Sequence, residues 1–377
     1  MRELFNRESD NFMQISTIIS HLEALAPLSY QESYDNAGLL TGSGAWECMG
    51  ILTTLDVTEA VVAEAVERNC NLIVAHHPIV FGGLKKITGR NYVERTVIAA
   101  IKQDIAIYAI HTNLDNVVGE GVNGRIAQKL GILDGKPLLP RAGTLQKLYC
   151  FVPVDHLEAV RAAVFAAGAG VIGNYSEVSF TVEGLGGFTG GEGTQPFVGQ
   201  PGVRHTEKEV RLEVILPAYL SRGVVQAMIK AHPYEEVAYD LVPLANMHSG
   251  VGSGLIGELA FSMEEGEFLD FVKAVFGLSV IRHTRLTGRA VQRVAVCGGA
   301  GSFLISNALA AGANFYITSD VKYHEFFDAN DQLVIADIGH FESEKFTIDL
   351  LFEVLREKFR NFAILKSGIK TNPIYYY

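Results

Sequence analysis

Apolar positions along this chain follow two periods. From Met13 onward, Ile15, Ile18, Ile19, Leu22 and Leu25 recur at helical spacing, which predicts an amphipathic helix that stops before Pro27. The stretch S-Y-D-N-A-G-L-L-T-G then reads as a loop. Beyond it, short apolar runs alternate with helical patterns. Strands are expected over Gly50 to Leu55, Asn71 to Ala75 and Ile105 to Ile110. Helices are expected from about Thr58, near Tyr92 to Lys102 and near Gly121 to Leu130. After Ala290 the alternation resumes, with strands Val291 to Cys297, Asn314 to Thr318 and Leu333 to Ile338. Helices Ser302 to Ala311, Val321 to Ala329 and Ser343 to Phe359 accompany them. Such alternation implies an α/β fold with a largely parallel sheet covered by helices.

The middle of the chain breaks this pattern. Leu148 to Val154, Glu177 to Val182, Val210 to Leu216 and Glu236 to Leu244 read as strands, and His156 to Ala167 and Tyr219 to Ala231 as helices. That is β-α-β twice, the order of a ferredoxin-like α+β domain. A glycine-rich stretch, Gly184 to Gly202, reads as a flexible loop. Residues 145–244 are therefore expected to form a domain inserted into a discontinuous α/β core of residues 13–144 and 245–377. Residues 1–12 are polar, precede the first periodic sequence and read as a flexible extension.

The two α/β stretches share more than a period. Gly50 to Pro78 reads strand, helix, strand and ends N-L-I-V-A-H-H; Arg293 to Asp320 reads the same way and ends N-F-Y-I-T-S-D. Each is followed by helical sequence, another strand and a histidine with a carboxylate four residues on: His111 with Asp115, and His340 with Glu344. The reading is of two related α/β halves facing one another across a shared site. Asp56, His76, His77, His111, Asp320 and His340 all fall at or just beyond the carboxyl ends of expected strands, the edge where open α/β sheets bind ligands.

The chemistry of these residues points to metal. Four-residue spacing stacks two side chains on one helical face, so both reach one ion. Imidazole with carboxylate suits zinc, iron, manganese, cobalt or nickel, and the three clusters, with His76-His77 as the third, suffice for two ions. A histidine pair after a strand also serves as a cap, and His340 with Glu344 also suits a helix start; neither alternative explains the matched pair at His111 and Asp115. Asp56 reads either as an acceptor orienting a ligating histidine or as a helix cap. Asp320 and His324 read either as substrate contacts or as a cap and a surface histidine. C-G-G-A-G-S, Cys297 to Ser302, is a tight strand-to-helix turn or a phosphate cradle, and is not a P-loop. In H-P-Y-E-E, the ligand reading of His232, Glu235 and Glu236 is weaker than turn and strand-edge roles.

Composition narrows the class. With 377 residues, 48% hydrophobic and 19% charged, the chain reads as globular and long enough for two or three domains. A net charge of -11 without a basic run argues against duplex nucleic acid as partner. Cys48, Cys70, Cys150 and Cys297 are scattered without a C-x-x-C pair, which suits reduced thiols in a cytoplasm. No apolar stretch is long enough to span a membrane, and the first residues lack the apolar core of a signal peptide.

S-Y-D-N-A-G-L, L-D-V-T, H-H-P, H-T-N-L-D, S-D-V-K-Y-H and G-H-F-E-S-E, taken in order from Met13 to the end, resemble the motif series of the NGG-interacting-factor-three family, bacterial members of which are named GTP cyclohydrolase 1 type 2 homologs. H-P-Y-E-E-V-A-Y-D resembles that of members carrying an inserted domain similar to PII and CutA proteins. Tyr34 stands where the family usually has tryptophan, a change expected to affect loop packing rather than chemistry. The resemblance implies two divalent ions held by His76, His77, Asp115, His340 and Glu344, with His111 as a ligand or a supporting partner. It also implies a homohexamer with sites facing an internal cavity. The expected activity is metal-dependent hydrolysis of a nucleotide or similar small molecule, by the family name the opening of the guanine ring of GTP. Glu344 and His111 are the expected catalytic residues, and Glu342 is an alternative proton shuttle. The alternative is a regulatory or scaffold hexamer that senses a small molecule through its insert.

Overall fold

The computed structural model describes residues 13–377; the extension expected over residues 1–12 lies outside them. The chain begins with α1 (Ile15–Leu25), β1 (Gly38–Thr41), β2 (Ile51–Thr54), α2 (Glu59–Glu67), β3 (Leu72–Ala75) and α3 (Tyr92–Lys102). It continues with β4 (Ala106–Ala109), α4 (Thr112–Asp115), α5 (Val122–Leu130), β5 (Ile132–Pro140), β6 (Leu145–Pro153), α6 (Leu157–Ala166), β7 (Ser179–Thr189) and β8 (Arg204–Pro217). Next come α7 (Ser221–Ala231), β9 (Tyr239–Pro243), β10 (Gly252–Met263), α8 (Glu265–Phe276), β11 (Arg282–His283), β12 (Val291–Ala300) and α9 (Ile305–Ala310). The last are β13 (Phe315–Ser319), β14 (Val334–Asp337), α10 (His340–Glu344), α11 (Thr347–Lys358) and β15 (Ile364–Lys366). The fold is mixed α/β with three sheets.

By contacts the chain divides into two compact units: residues up to Leu139 together with Gly250–Tyr377, and Pro140–Ser249. The larger unit contains two sheets, ordered β1-β4-β3-β2-β15 and β11-β14-β13-β12-β10-β5. In the first, β4, β3, β2 and β15 are parallel and β1 is antiparallel at the edge. In the second, β14, β13 and β12 are parallel and β11 is antiparallel at the edge. The same strand order therefore recurs: an antiparallel edge, then three parallel strands in reverse sequence order.

Strand alternation explains how the two sheets share a core. Leu72 and Val74 of β3 and Val294 and Val296 of β12 belong to one buried cluster with residues of α1, α5, α8 and α11. Their neighbours Ile73 and Ala75 pack instead with α2 and α3, and Ala295 and Cys297 with α9. Strands buried on both faces must be apolar throughout, hence the continuous runs in the sequence. In α1, Ile15, Ile18 and Leu22 are fully buried, each contributing about 1.5–3 kcal/mol relative to exposure. Thr58 caps α2 and Asn91 caps α3 through their side chains, while Gly131 ends α5 in the left-handed region.

Pro140–Ser249 forms its own antiparallel sheet, β7-β8-β6-β9, with α6 and α7 packed on one face around Leu148, Val152, Leu212 and Met228. Part of the expected glycine loop is strand here: Gly184–Thr189 pair with Arg204–Glu209 as the end of β7 and start of β8. A Cβ on Gly186 would fall 2.0 Å from Glu209 Oε2, so a larger residue there would have to displace that carboxylate. The turn His232–Tyr234 is structural: His232 Nε2 bonds the Phe151 carbonyl and its Nδ1 accepts the Tyr234 amide.

Several other expectations need amendment. Residues 38–41 of the expected loop form β1. The expected helix Val321 to Ala329 is a 3-10 helix, Tyr323–Ala329. The expected helix Ser343 to Phe359 is two helices, α10 and α11. The break separates two demands, since Glu344 faces the cluster described below while Phe346 packs on Phe276 with ring centroids 5.5 Å apart.

Candidate metal centre

The carboxyl ends of the two parallel sets meet at one cluster. His76 and His77 follow β3, and their amides continue its ladder to the Thr54 and Leu55 carbonyls. His111 follows β4 and caps α4, a single turn that ends at Asp115. His340 and Glu344 open and close α10, entered through Gly339 at φ 90°. Three groups of potential ligands result, each with its atoms within 4.8 Å of one another: His76, His77 and His111; His77, His340 and Glu344; His76, Asp115 and Glu344.

Each of the four histidines has one ring nitrogen committed to an acceptor. His76 Nδ1 donates to the Ile110 carbonyl at 2.8 Å. His77 Nδ1 donates to Asp56, His111 Nδ1 to Asp35 and His340 Nδ1 to Asp320, each at 2.7 Å. An imidazole so anchored has a fixed orientation and tautomer, and presents Nε2 as a lone-pair donor. The Nε2 atoms of His77 and His340 lie 2.9 and 3.1 Å from Glu344 Oε2. His76 Nε2 and Asp115 Oδ1 are buried, stand 3.6 Å apart and have no hydrogen-bond partner. Burying such atoms unpaired costs free energy, and a divalent cation between them would satisfy both. The residues present thus fit a metal ion.

The electrostatics agree. Burial opposes charge on His77, but hydrogen bonds to Asp56 and Glu344 override it and hold its pKa near about 10. His340, opposed in the same way, is lifted to about 9 by Glu344 and Asp320. Burial, against Glu344 and with the charges of His77 and His111, pushes His76 down. Burial would raise Glu344, but hydrogen bonds from His340 and His77, with the His76 ring close by, hold it well below the usual carboxylate range. Burial and then the charge of Glu344 push Asp115 well above that range. The upward shifts of His77, His340 and Asp115 all favour the protonated form in a carboxylate-rich site.

The cluster floors a cavity of about 380 Å³, with Tyr34, Phe81 and Phe303 among its walls. Tyr34 is 63% exposed and stacks on Phe81 with centroids 6.2 Å apart, so the residue at this position faces the cavity rather than only packing the loop. A larger open groove of about 890 Å³ beside α1, α5 and α11 contains none of the cluster residues.

In the glycine turn, Gly298 N–H donates to Asn123 Oδ1 and Gly299 N–H to Ser343 Oγ, so these two amides are spent within the protein. The turn's purpose is close approach: Gly299 has φ 66°, and a Cβ there would lie 2.4 Å from Glu344 Oε1. His324 packs edge-on against Tyr323 and stacks on Phe327, and is not among the cavity residues. Glu342 accepts a hydrogen bond from Asn372 and lies outside the cavity lining. Asp56 is the orienting acceptor that one of its two readings expected, whereas Asp320 orients His340, a role that neither reading gave it.

Sequence reasoning missed Asp35. Its carboxylate accepts from His111, from the Thr112 amide at 3.0 Å and from the Thr112 hydroxyl. Burial opposes its ionisation, but these bonds, His111 first, pull its pKa to about 2. The signal was its place in the S-Y-D-N motif, one residue after Tyr34.

Two outcomes follow from this geometry. Gly299→Ala is expected to displace Glu344 and weaken zinc binding by roughly tenfold or more, measured by competition with a chromophoric chelator; unchanged affinity would show that Glu344 does not need this approach. Second, both histidine pKa values exceed the ordinary 6.5, so their carboxylate stabilisation is full below 6.5 and is lost as pH rises through about 9 to 10. Metal must displace these protons, so affinity should fall as pH is lowered through this range. At pH 7, zinc binding should release roughly two or more protons per chain, read by calorimetry in buffers of different ionisation enthalpy. No release would contradict the charge assignment.

Known proteins resemble this chain along nearly its whole length. The sequence profile of Duf34/NIF3 (NGG1p interacting factor 3) matches residues 13–373. A GTP cyclohydrolase 1 type 2 homolog of Halalkalibacterium halodurans is 41% identical over 363 residues, covering 95% of this chain and 97% of that protein. One from Bacillus subtilis is 40% identical over 326 residues, covering 86% and 87% respectively. The crystal structure of a Bacillus cereus protein related to NIF3 superposes with a TM-score of 0.86 at 39% identity, over 97% of this chain and 100% of that one. With the motifs, the fold and these relatives in agreement, the chain belongs to the Duf34/NIF3 family.

Proposed function

We propose that this protein is a dinuclear-metal-dependent hydrolase that acts on a nucleotide or similar small molecule through a metal-activated water. The observation that carries the reading is the pair of buried, unpartnered atoms His76 Nε2 and Asp115 Oδ1 beside an accessible cavity. Divalent ions, zinc by first expectation, would supply there a water of lowered pKa and polarise the substrate. His76, His77, Asp115, His340 and Glu344 would hold them, with Glu344 central because three histidines approach it. His111, fixed by Asp35 and facing the cavity, is the group suited to moving a proton at its Nε2. The stacked Tyr34 and Phe81 wall suits a flat ring, which agrees with the name GTP cyclohydrolase 1 type 2 homolog that its relatives carry.

By the same reading the two sheets of the larger unit are related halves around the site, and Pro140–Ser249 is the inserted PII/CutA-like domain of a cytoplasmic homohexamer. Among the described residues no helix is long and apolar enough to cross a membrane. One observation favours a second reading: the Pro140–Ser249 unit has its own sheet and buried core, as a sensing module would. The protein would then be a metal-binding regulatory or scaffold hexamer.

Metal analysis of protein purified without chelator, combined with turnover of nucleotides and phosphoesters, separates these. About two ions per chain are expected, with a metal-dependent product that disappears in His76→Ala/Glu344→Ala. Bound metal with no turnover across the panel would favour the regulatory reading, and absence of metal would overturn both. His111→Ala should retain metal and lose about 100-fold or more in turnover; unchanged turnover would remove its proton role.

A further inference from the structure

The chain does not end at its last strand. Beyond β15, residues 367–377 have no regular secondary structure, yet they are tied down at successive points. The Ser367 amide donates to the Thr53 carbonyl, its hydroxyl donates to Glu64 at 2.6 Å, and the Gly368 amide donates to the same carboxylate at 2.8 Å. These contacts fasten the segment to the first sheet and α2. It then reaches the cluster. Thr371 Oγ1 donates to Asp56 Oδ2 at 2.6 Å, and the buried Asn372 donates through Nδ2 to Glu342 Oε1 at 2.8 Å. Farther on, a Cβ built on Gly339 would lie 3.1 Å from the Tyr376 hydroxyl, next to His340. One short segment thus touches the supports of ligands from both sheets.

The bond to Asp56 matters most. Asp56 Oδ1 accepts from His77 Nδ1 while Oδ2 accepts from Thr371. A carboxylate bonded through one oxygen alone can rotate about its own axis; a second bond on the other oxygen fixes its plane and aims the first. Asp56 is partly exposed, so water competes for it if the hydroxyl is missing. The same device stands on the neighbouring histidine. Asp35 Oδ1 accepts from His111 Nδ1 and its Oδ2 from the Thr112 hydroxyl. Threonine, aspartate and histidine are therefore chained in the same order at two adjacent imidazoles. One threonine comes from α4, beside its histidine in sequence; the other comes from the last seven residues of the chain.

We infer that the C-terminal segment is a clamp on the site and that Thr371 is a positioning residue for His77, acting through Asp56. Asn372 adds a second hold, on Glu342 in the helix that carries His340 and Glu344. This inference rests on the reading of the cluster as a metal centre. The segment keeps an imidazole aimed at the ion; it does not touch the ion itself.

The test compares full-length wild type, Thr371→Val and Thr371→Ser. Cobalt(II) is the probe, with its affinity taken from chelator competition and its visible spectrum from the loaded protein. Thermal unfolding of the metal-free proteins is recorded alongside. Thr371→Val should weaken cobalt binding by about tenfold or more and shift the ligand-field bands, because supports of ligating histidines carry effects of about 10–100-fold. Thr371→Ser, which retains the hydroxyl, should restore both, and the metal-free unfolding temperatures should agree. Wild-type affinity and spectrum in Thr371→Val would overturn the clamp and leave the metal centre standing. So would a loss that serine does not rescue, or one matched by a fall in metal-free stability. A wild type that binds no cobalt would overturn the metal centre and the clamp together.

Discussion

The structure depends on four imidazoles that are each held by one nitrogen so that the other can face a shared space. That constraint explains features with no other evident connection. Asp35, Asp56 and Asp320 are placed beside the cluster although extra carboxylates there add negative charge. His76, the most deeply buried of the four, takes a neutral carbonyl as its anchor. A carbonyl does not stabilise a proton on the ring as a carboxylate does, and His76 is the member whose pKa burial drives down. Negative groups collected at the carboxyl ends of parallel strands, with protonation favoured on His77, His340 and Asp115, describe a site arranged for positive charge that the chain itself does not supply.

Much of this was legible in the sequence because the signals were local. The H-x-x-x-[D/E] pairs needed only one helical turn to bring both groups together, and α4 and α10 provide it. The convergence of His76, His77, His111 and His340 followed from apolar runs that stop just before them, since strand ends of a parallel sheet share an edge. Strands β2, β3, β4, β13 and β14 lie inside their expected limits to within a residue or so, because burial on both faces keeps them largely apolar, with polar residues such as Thr54, Ser319 and Asp337 only towards their carboxyl ends.

What stayed hidden depends on distant partners. β1 looked like a loop because four residues around glycines carry no alternation, and only pairing with β4 makes them a strand. The glycine turn at Cys297 to Ser302 offered two readings until Glu344, far along the chain, was seen lying on Gly299. The split between α10 and α11 left no proline or glycine to announce it; it separates Glu344, which joins the cluster, from Phe346, which packs on Phe276. The Thr371–Asp56 bond joins residues 315 apart, a separation at which sequence spacing carries no geometric information.

The placement of β15 has a consequence for how the protein folds. It pairs in parallel with β2, two stretches far apart in sequence. His77 likewise meets Glu344 across 267 residues. Contacts of such range form only after a long loop has closed, so the sheet and the cluster both wait on the slow joining of distant segments rather than on local turns. Folding of the first sheet and assembly of the site thus share one kinetic requirement.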